Sequence, residues 1–142
     1  MFFNDRDTII RLTPQWKGER LPDGRPMVSQ DVLRRMRKIT FEEAWGPLWN
    51  MGYRNNWESN FRMSHGDNIL VGRAVTAVMV PFRPDLDETL RGIGHGEEGR
   101  KGFYNQWVID NLVEDDVVVV DLYDKIFEGT YVGGNLSTAI KT

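Results

Sequence analysis

The residues best suited to chemistry stand close together late in the chain: Gly133-Gly134-Asn135-Leu136-Ser137, with Asp121 and Asp124 upstream. A glycine pair feeding a helix presents backbone N–H groups without intrahelical partners, and the helix dipole adds partial positive charge there. Such a turn can bind a carboxylate or a phosphate. Asn135 stands where a helix N-cap belongs, ahead of the helix-compatible run Leu136 to Lys141. The Gly134–Ser137 turn is therefore the first candidate anion site, although a plain capped strand–turn–helix connection would use the same residues. Asp121 and Asp124 flank the carboxyl end of an expected strand, where α/β domains place their sites. Carboxylates there can hold a divalent metal or its waters. A strand-ending turn with exposed acids is the alternative.

The elements that position these residues follow from pattern. Val117-Val118-Val119-Val120 ending in Asp121 is β-branched throughout and too short for a helix, so it predicts a buried strand. Lys125 to Thr130 allows a second short extended piece. Ile69 to Phe82 is nearly continuous in apolar residues, which fits a strand covered on both faces in a parallel or mixed sheet. Pro81 and Pro84 end it, and Asp85 to Leu90 starts a short helix or turn. Gly92, Gly94, Gly96, Gly99 and Gly102 predict a flexible stretch around His95, whose spacing fails the GxGxxG phosphate-loop pattern. Phe103 to Leu112 reads as a helix offering Trp107, Val108 and Leu112 to the core, and Glu114-Asp115-Asp116 as a turn into the valine strand.

Upstream, residues 1–28 carry Pro14, Pro22, Pro26 and the Asp23-Gly24 turn pair, so an irregular arm is expected, with one short strand at Thr8 to Leu12. Ser29 caps a helix whose apolar positions are Val32, Leu33, Met36 and Ile39. Thr40-Phe41-Glu42-Glu43 is a capping box opening a second helix, expected to be disturbed near Gly46-Pro47. Asn50 to Asp67 is a polar, aromatic loop in which His65 reads as an exposed side chain. The sum is an N-terminal arm, 1–28, and one α/β domain, 29–142.

Composition narrows the function classes. The net charge of −3 argues against a general nucleic-acid binder, which needs a basic face for phosphates. The local run Arg34-Arg35-Met36-Arg37-Lys38 reads as a solvated helix face. With no cysteine, thiolate metal sites, disulfides and a cysteine nucleophile are excluded. There is no GxSxG, and neither histidine has a partner at local spacing. The first residues lack the apolar core of a signal peptide and no stretch is long enough to span a membrane, so a cytoplasmic protein is expected. Five tryptophans are many for 142 residues. Trp45, Trp49, Trp57 and Trp107 are expected to anchor packing or a subunit interface.

Several motifs occur together in a recognisable order: Leu70-Val71-Gly72-Arg73-Ala74-Val75-Thr76-Ala77, then Pro81-Phe82-Arg83-Pro84-Asp85-Leu86-Asp87, then Asn105-Gln106-Trp107-Val108-Ile109-Asp110. Val117–Asp121 and Gly129-Thr130-Tyr131-Val132-Gly133-Gly134-Asn135-Leu136-Ser137-Thr138-Ala139-Ile140 complete the series. Together they resemble the RraA-like family, members of which were once called dimethylmenaquinone methyltransferases. Weaker similarity reaches back through Glu42-Glu43-Ala44-Trp45-Gly46 to Asp23-Gly24-Arg25-Pro26.

The resemblance implies an α/β swivelling-domain fold (β/β/α) and a homotrimeric ring. It also implies enzymes similar to 4-hydroxy-4-methyl-2-oxoglutarate aldolases with oxaloacetate decarboxylase side activity. In such enzymes a divalent metal, usually Mg²⁺, stabilises the enolate of pyruvate as the C–C bond breaks. By this match Gly134, Asn135, Leu136 and Ser137 would bind the pyruvyl carboxylate, mainly through backbone N–H groups. Asn135 stands where many enzyme members carry an aspartate that holds metal-bound water, and would be the catalytic position. As an amide it can accept a hydrogen bond from that water but is a weaker acceptor. The family's Arg-Asp pair, with arginine on substrate and aspartate on metal, falls past Thr142 in this register, so no residue of the sequence is assigned as a direct metal ligand. The expectation is the N-terminal part of a family member, inactive as a lyase by itself. The rival expectation is a non-catalytic regulator, since some members inhibit the RNA-degrading enzyme RNase E, or a degenerate paralogue that assembles into rings with full-length partners.

Overall fold

The computed structural model describes residues 5–63, 66, 69–125, 127 and 129–141. It contains helices and a two-stranded parallel sheet, an α/β composition. The chain divides into two compact units, Met1–Val71 and Gly72–Thr142. Among the described residues, no helix is long and apolar enough to cross a membrane.

The first unit opens with a helix, α1 (Arg6–Leu12), where a strand was expected over Thr8 to Leu12. The local signal that wins is a cap: the Asp5 carboxylate accepts the Thr8 N–H at 2.9 Å. Asp7 and Arg11 then complement the two ends of the helix dipole, which outweighs the modest helix penalty of β-branched Thr8, Ile9 and Ile10. The irregular segment that follows is knotted around Arg20. Its guanidinium donates to the carbonyls of Thr13, Trp16 and Gly24 and to the Thr13 hydroxyl, at 2.7–3.2 Å. Gly24, at φ 93°, takes a turn conformation that L side chains adopt only with strain.

Helix α2 (Gln30–Met36) starts at Ser29, whose hydroxyl accepts the Val32 N–H, and buries Leu33. Helix α3 (Phe41–Asn50) starts at Thr40 with both halves of the capping box formed, at 2.7 and 3.2 Å. The disturbance expected near Gly46-Pro47 does not interrupt α3. Pro47 removes one backbone donor, while the helix continues and Met51 N–H donates to the Pro47 carbonyl at 3.0 Å. Phe41, Trp45 and Trp49, spaced by four, lie along one helical face. Trp45 packs on Trp49 at 5.3 Å and on Trp57 at 6.3 Å, and Phe41 packs on Trp57 at 5.5 Å.

In the second unit, β1 (Arg73–Val78) pairs in parallel with β2 (Asp116–Asp121), in register Arg73↔Asp116 through Val78↔Asp121. The strand expected over Ile69 to Phe82 is thus shorter, and it is not covered on both faces. Exposure alternates along β1, with Ala74, Thr76 and Val78 open to solvent on the face shared with Val119 and Asp121. An unbroken apolar run says that a strand is apolar, not how many layers cover it.

Parallel pairing requires a long crossover, and helices α4 (Pro84–Arg91) and α5 (Tyr104–Ile109) fall within it. The glycine-rich stretch between them is not a loose loop. Gly92–Glu97 continues α4 as a π-helical turn, closed by Glu98 N–H to the Ile93 carbonyl and Arg100 N–H to the Gly94 carbonyl. The reason is Trp107. It is buried in α5 with its ring seated against Gly94, where no side chain fits. Ile109 is the other buried apolar residue of this unit among those described.

Tyr104 ties α5 to α4 by donating its hydroxyl to Asp87 Oδ1 at 2.7 Å, while Arg91 donates to Asp87 Oδ2 at 2.9 Å. The Tyr104 hydroxyl first and Arg91 second hold the Asp87 carboxyl below its ordinary pKa. Burial first, and the neighbouring carboxylate second, raise the Tyr104 phenol above its own. A lowered carboxylate pKa contributes stability that is complete above the ordinary value of about 3.9 and is lost as pH falls through the native value. A raised phenol pKa contributes stability present below about pH 10 and lost as pH rises through the native value. Tyr104→Phe is therefore expected to lower the thermal midpoint more at pH 6 than at pH 2.5. Melting curves followed by circular dichroism across that range check this, and an equal loss at both pH values would contradict it.

Candidate functional site

The chain leaves β2 at Asp121, whose carboxylate Oδ1 accepts the Tyr123 N–H at 2.8 Å. Tyr123 and Asp124 then both take left-handed backbone conformations, at φ 57° and 58°. For residues with a Cβ this costs about 1–2 kcal/mol each, so the turn is held by its surroundings. Lys125 N–H donates to the Leu122 carbonyl at 3.2 Å. Further along, Gly129 lies against the Lys125 backbone, where an added Cβ would fall 3.0 Å from the Lys125 Cβ and closer still to its carbonyl oxygen. In the short extended piece that Lys125 to Thr130 allows, Lys125, Phe127, Gly129 and Thr130 join no strand; Ile126 and Glu128 lie outside the described residues.

Asn105, in the first turn of α5, anchors the approach to the glycine pair. Its Nδ2 donates to the Tyr131 carbonyl at 2.6 Å, and the Tyr131 hydroxyl donates back to the Asn105 carbonyl at 3.4 Å. Burial pushes the Tyr131 phenol pKa up. Helix α6 (Gly134–Lys141) begins three residues after this clamp. Asn135 is not its N-cap: the helix starts one residue earlier, and the Gly133 carbonyl accepts both the Ser137 N–H and the Ser137 hydroxyl at 3.0 Å. Gly133 is thus the N-cap, a position where glycine is tolerated, and having no side chain it leaves the N–H groups of the first turn uncapped. Asn135 is instead the second helical residue, exposed, with its side chain in the first turn.

This geometry sorts the four candidate residues. The N–H groups of Gly134, Asn135 and Leu136 belong to the first turn, which has no intrahelical acceptor for them. Ser137 has committed its N–H and its hydroxyl proton to Gly133, so it builds the turn rather than facing outward. Gly133 and Gly134 are both exposed. Neither has a positive φ, and neither has any atom within 4 Å of where a Cβ would stand. Neither backbone conformation nor packing within this chain therefore demands glycine at these two positions. Gly133 stands at the N-cap, where glycine is among the favoured residues, and the open space beside both glycines leaves the first-turn backbone accessible.

The carboxyl ends of both strands open into a cavity of about 350 Å³ bordered by Pro81, Phe82, Leu122, Tyr123, Lys125 and Thr130. Sequence reading passed over it. The available signals were Pro81-Phe82 ending one strand and Leu122-Tyr123 ending the other, which parallel pairing brings to the same end. Asp121 and Asp124 are exposed, and Asp121 is occupied with its own turn. Among the described residues no three histidine, cysteine, aspartate or glutamate side chains come together as a metal site. His65 lies outside the described residues. His95 stacks edge-on against Trp107 at 5.3 Å, with Nδ1 2.9 Å from the Arg100 carbonyl, which gives it a packing role.

At the opposite end of the strands, Arg73 and Asp116 form an ion pair at 2.9 Å, with side chains 11% and 0% exposed. The sequence marked both residues only as members of a motif and of a turn. Comparison with protein-family models, with curated proteins and with solved structures gives no match.

Proposed function

We propose that the chain is an RraA-like protein of the divalent-metal-dependent aldolase and decarboxylase class, acting on a pyruvyl-containing oxo acid of the 4-hydroxy-4-methyl-2-oxoglutarate or oxaloacetate type. In this reading it is a cytoplasmic protein with the β/β/α swivelling fold, working as a trimeric ring. The substrate carboxylate sits on the N–H groups of Gly134, Asn135 and Leu136, with Ser137 shaping the turn and the Asn135 amide beside the reacting end. The observation that carries the reading is the glycine pair, beside which the described residues leave the first turn of α6 open to a ligand. The ordered motif series and the parallel β1–β2 pair leading into this turn support it further. Mg²⁺ belongs to the reading as the group that would stabilise the enolate of pyruvate.

The test is a pyruvate titration followed by amide NMR. Pyruvate is expected to shift the amides of Gly134, Asn135 and Leu136. Gly134→Pro removes one of these donors at a position where helices accept proline. It should weaken pyruvate about three- to tenfold, the worth of one hydrogen bond. Pyruvate leaving all three amides unmoved would sink the proposal.

A second reading is a protein-binding regulator of the RNase E-inhibiting kind. It is favoured by the bare sheet face, where Val78 is 64% and Val119 45% exposed. Retention of RNase E by the wild-type chain and its loss in Val119→Lys would support this reading over the first.

A further inference from the structure

The cavity at the carboxyl ends of β1 and β2 has no part in the reading above and stands independently of it. Its position is the one at which open parallel sheets present ligand sites. Its volume of about 350 Å³ lies at the small end of ligand pockets. Both walls are continuations of the strands. Met79 N–H donates to the Asp121 carbonyl at 2.8 Å, so the pairing extends past Val78, and Pro81, Phe82, Leu122 and Tyr123 just beyond it border the same cavity.

Two features mark the second wall as built for something. Tyr123 and Asp124 stay in left-handed conformations that a tyrosine adopts only under constraint. The turn is also pinned on both sides, by the Asp121 carboxylate on Tyr123 N–H and by Gly129 against Lys125. Tyr123 is 59% exposed and Phe82 76% exposed, so two aromatic side chains are held at the mouth rather than packed away. Lys125 is the one cationic residue among those bordering the cavity and forms no ion pair with another described residue. Neither Asp121 nor Asp124 borders it.

We propose that this cavity binds a small monocarboxylate with an apolar, ring-sized body. The body lies against Pro81, Phe82, Leu122 and Tyr123, and the carboxylate meets Lys125 and Thr130. A single lysine matches one negative charge. A phosphate dianion would need more donors than one lysine and one hydroxyl supply.

The probes are 3-phenylpropionate, its uncharged analogue 3-phenylpropanol, and acetate, each titrated into the whole chain and followed by amide NMR. The proposal expects 3-phenylpropionate to shift amides in 79–82 and 122–125, while acetate binds far more weakly. Lys125→Met should weaken 3-phenylpropionate about tenfold, the worth of one charged hydrogen bond, and leave 3-phenylpropanol unchanged. Phe82→Ala should weaken both aromatic probes. Both replaced side chains are exposed, so the variants should keep the fold, which their amide spectra report directly. Three results would each overturn the proposal: no shift with 3-phenylpropionate, shifts confined to Gly134–Leu136, or equal effects of Lys125→Met on the charged and uncharged probes.

Discussion

Replacing Asp116 by alanine is expected to cost roughly 3–5 kcal/mol, the usual price of removing one partner of a buried ion pair. Arg73 Nε lies 2.9 Å from Asp116 Oδ1, and the aspartate side chain is fully out of solvent. The same guanidinium donates to the Glu114 carbonyl, and Asp116 Oδ2 accepts the Val113 N–H at 3.0 Å. Alanine therefore removes the counter-charge of a nearly buried cation and the acceptor of the Val113 N–H together. The pair is also the first rung of the parallel ladder, Arg73↔Asp116, so it fixes the register that every later pair inherits. Gly72 lets the strands start this closely, since a Cβ there would stand 2.5 Å from the Asp115 carbonyl oxygen and 2.6 Å from Val117 Cγ2. The double variant Arg73→Met with Asp116→Leu should recover much of the loss, because a buried pair stabilises little relative to apolar residues of similar size. Urea midpoints at constant slope measure both effects. A cost below about 1 kcal/mol for Asp116→Ala would show that the pair is not desolvated as described.

What the sequence made legible followed how local the governing signal is. Ser29 and the Thr40–Glu43 box were readable because a cap is a matter of three or four adjacent residues, and α2 and α3 begin where those residues say. Thr8-Ile9-Ile10 misled because β-branched content was read without its cap, Asp5, which decides for α1. The two apolar β-branched runs separated by helical pattern were legible as strands of an α/β domain, while their pairing with each other was not. Nor was the pair's one-sided exposure, because layering depends on what lies above a face and leaves no mark within the strand. The glycines between Gly92 and Gly102 read as looseness. The π-helical turn depends on Trp107, distant in sequence, and no local pattern contains that contact.

The candidate site divides in the same way. The glycine pair and the helix after it were visible as residue types, but the cap lies two positions before Asn135, at Gly133, whose carbonyl accepts from Ser137. That shift moves Ser137 from donor to scaffold and leaves three N–H groups without intrahelical partners. The Asn105–Tyr131 clamp that aims the turn joins residues 26 positions apart, beyond any local pattern. The strand-end cavity needed the pairing register before its two walls could be seen as one place.

Gly94→Ala is expected to destabilise the second unit by about 1–3 kcal/mol, the range for an extra methyl forced into a packed site. Its Cβ would fall 2.7 Å from Trp107 Cζ2, 2.5 Å from Cζ3 and nearer still to Cη2. The indole cannot easily retreat. Its Nε1 donates to the Lys101 carbonyl at 2.9 Å, and Tyr104 and His95 hold it edge-on at 4.9 and 5.3 Å. The same helical turn supplies the control. Gly92 and Gly96 have nothing within 4 Å of a Cβ position and no positive φ, so alanine there meets open space. At those positions alanine should be neutral or stabilising by up to about 1 kcal/mol, because it restricts the unfolded chain more than glycine does. One substitution type thus carries opposite signs at neighbouring positions, which general helix propensity cannot produce. Trp107→Phe removes the ring atoms that the new methyl meets, so Gly94→Ala should cost less in that background than in the wild type. A coupling of about 0.5 kcal/mol or more in the double-mutant cycle is the expected outcome. Equal costs in the two backgrounds would mean that Gly94 is needed for the π-helical backbone itself and not for the tryptophan seated on it.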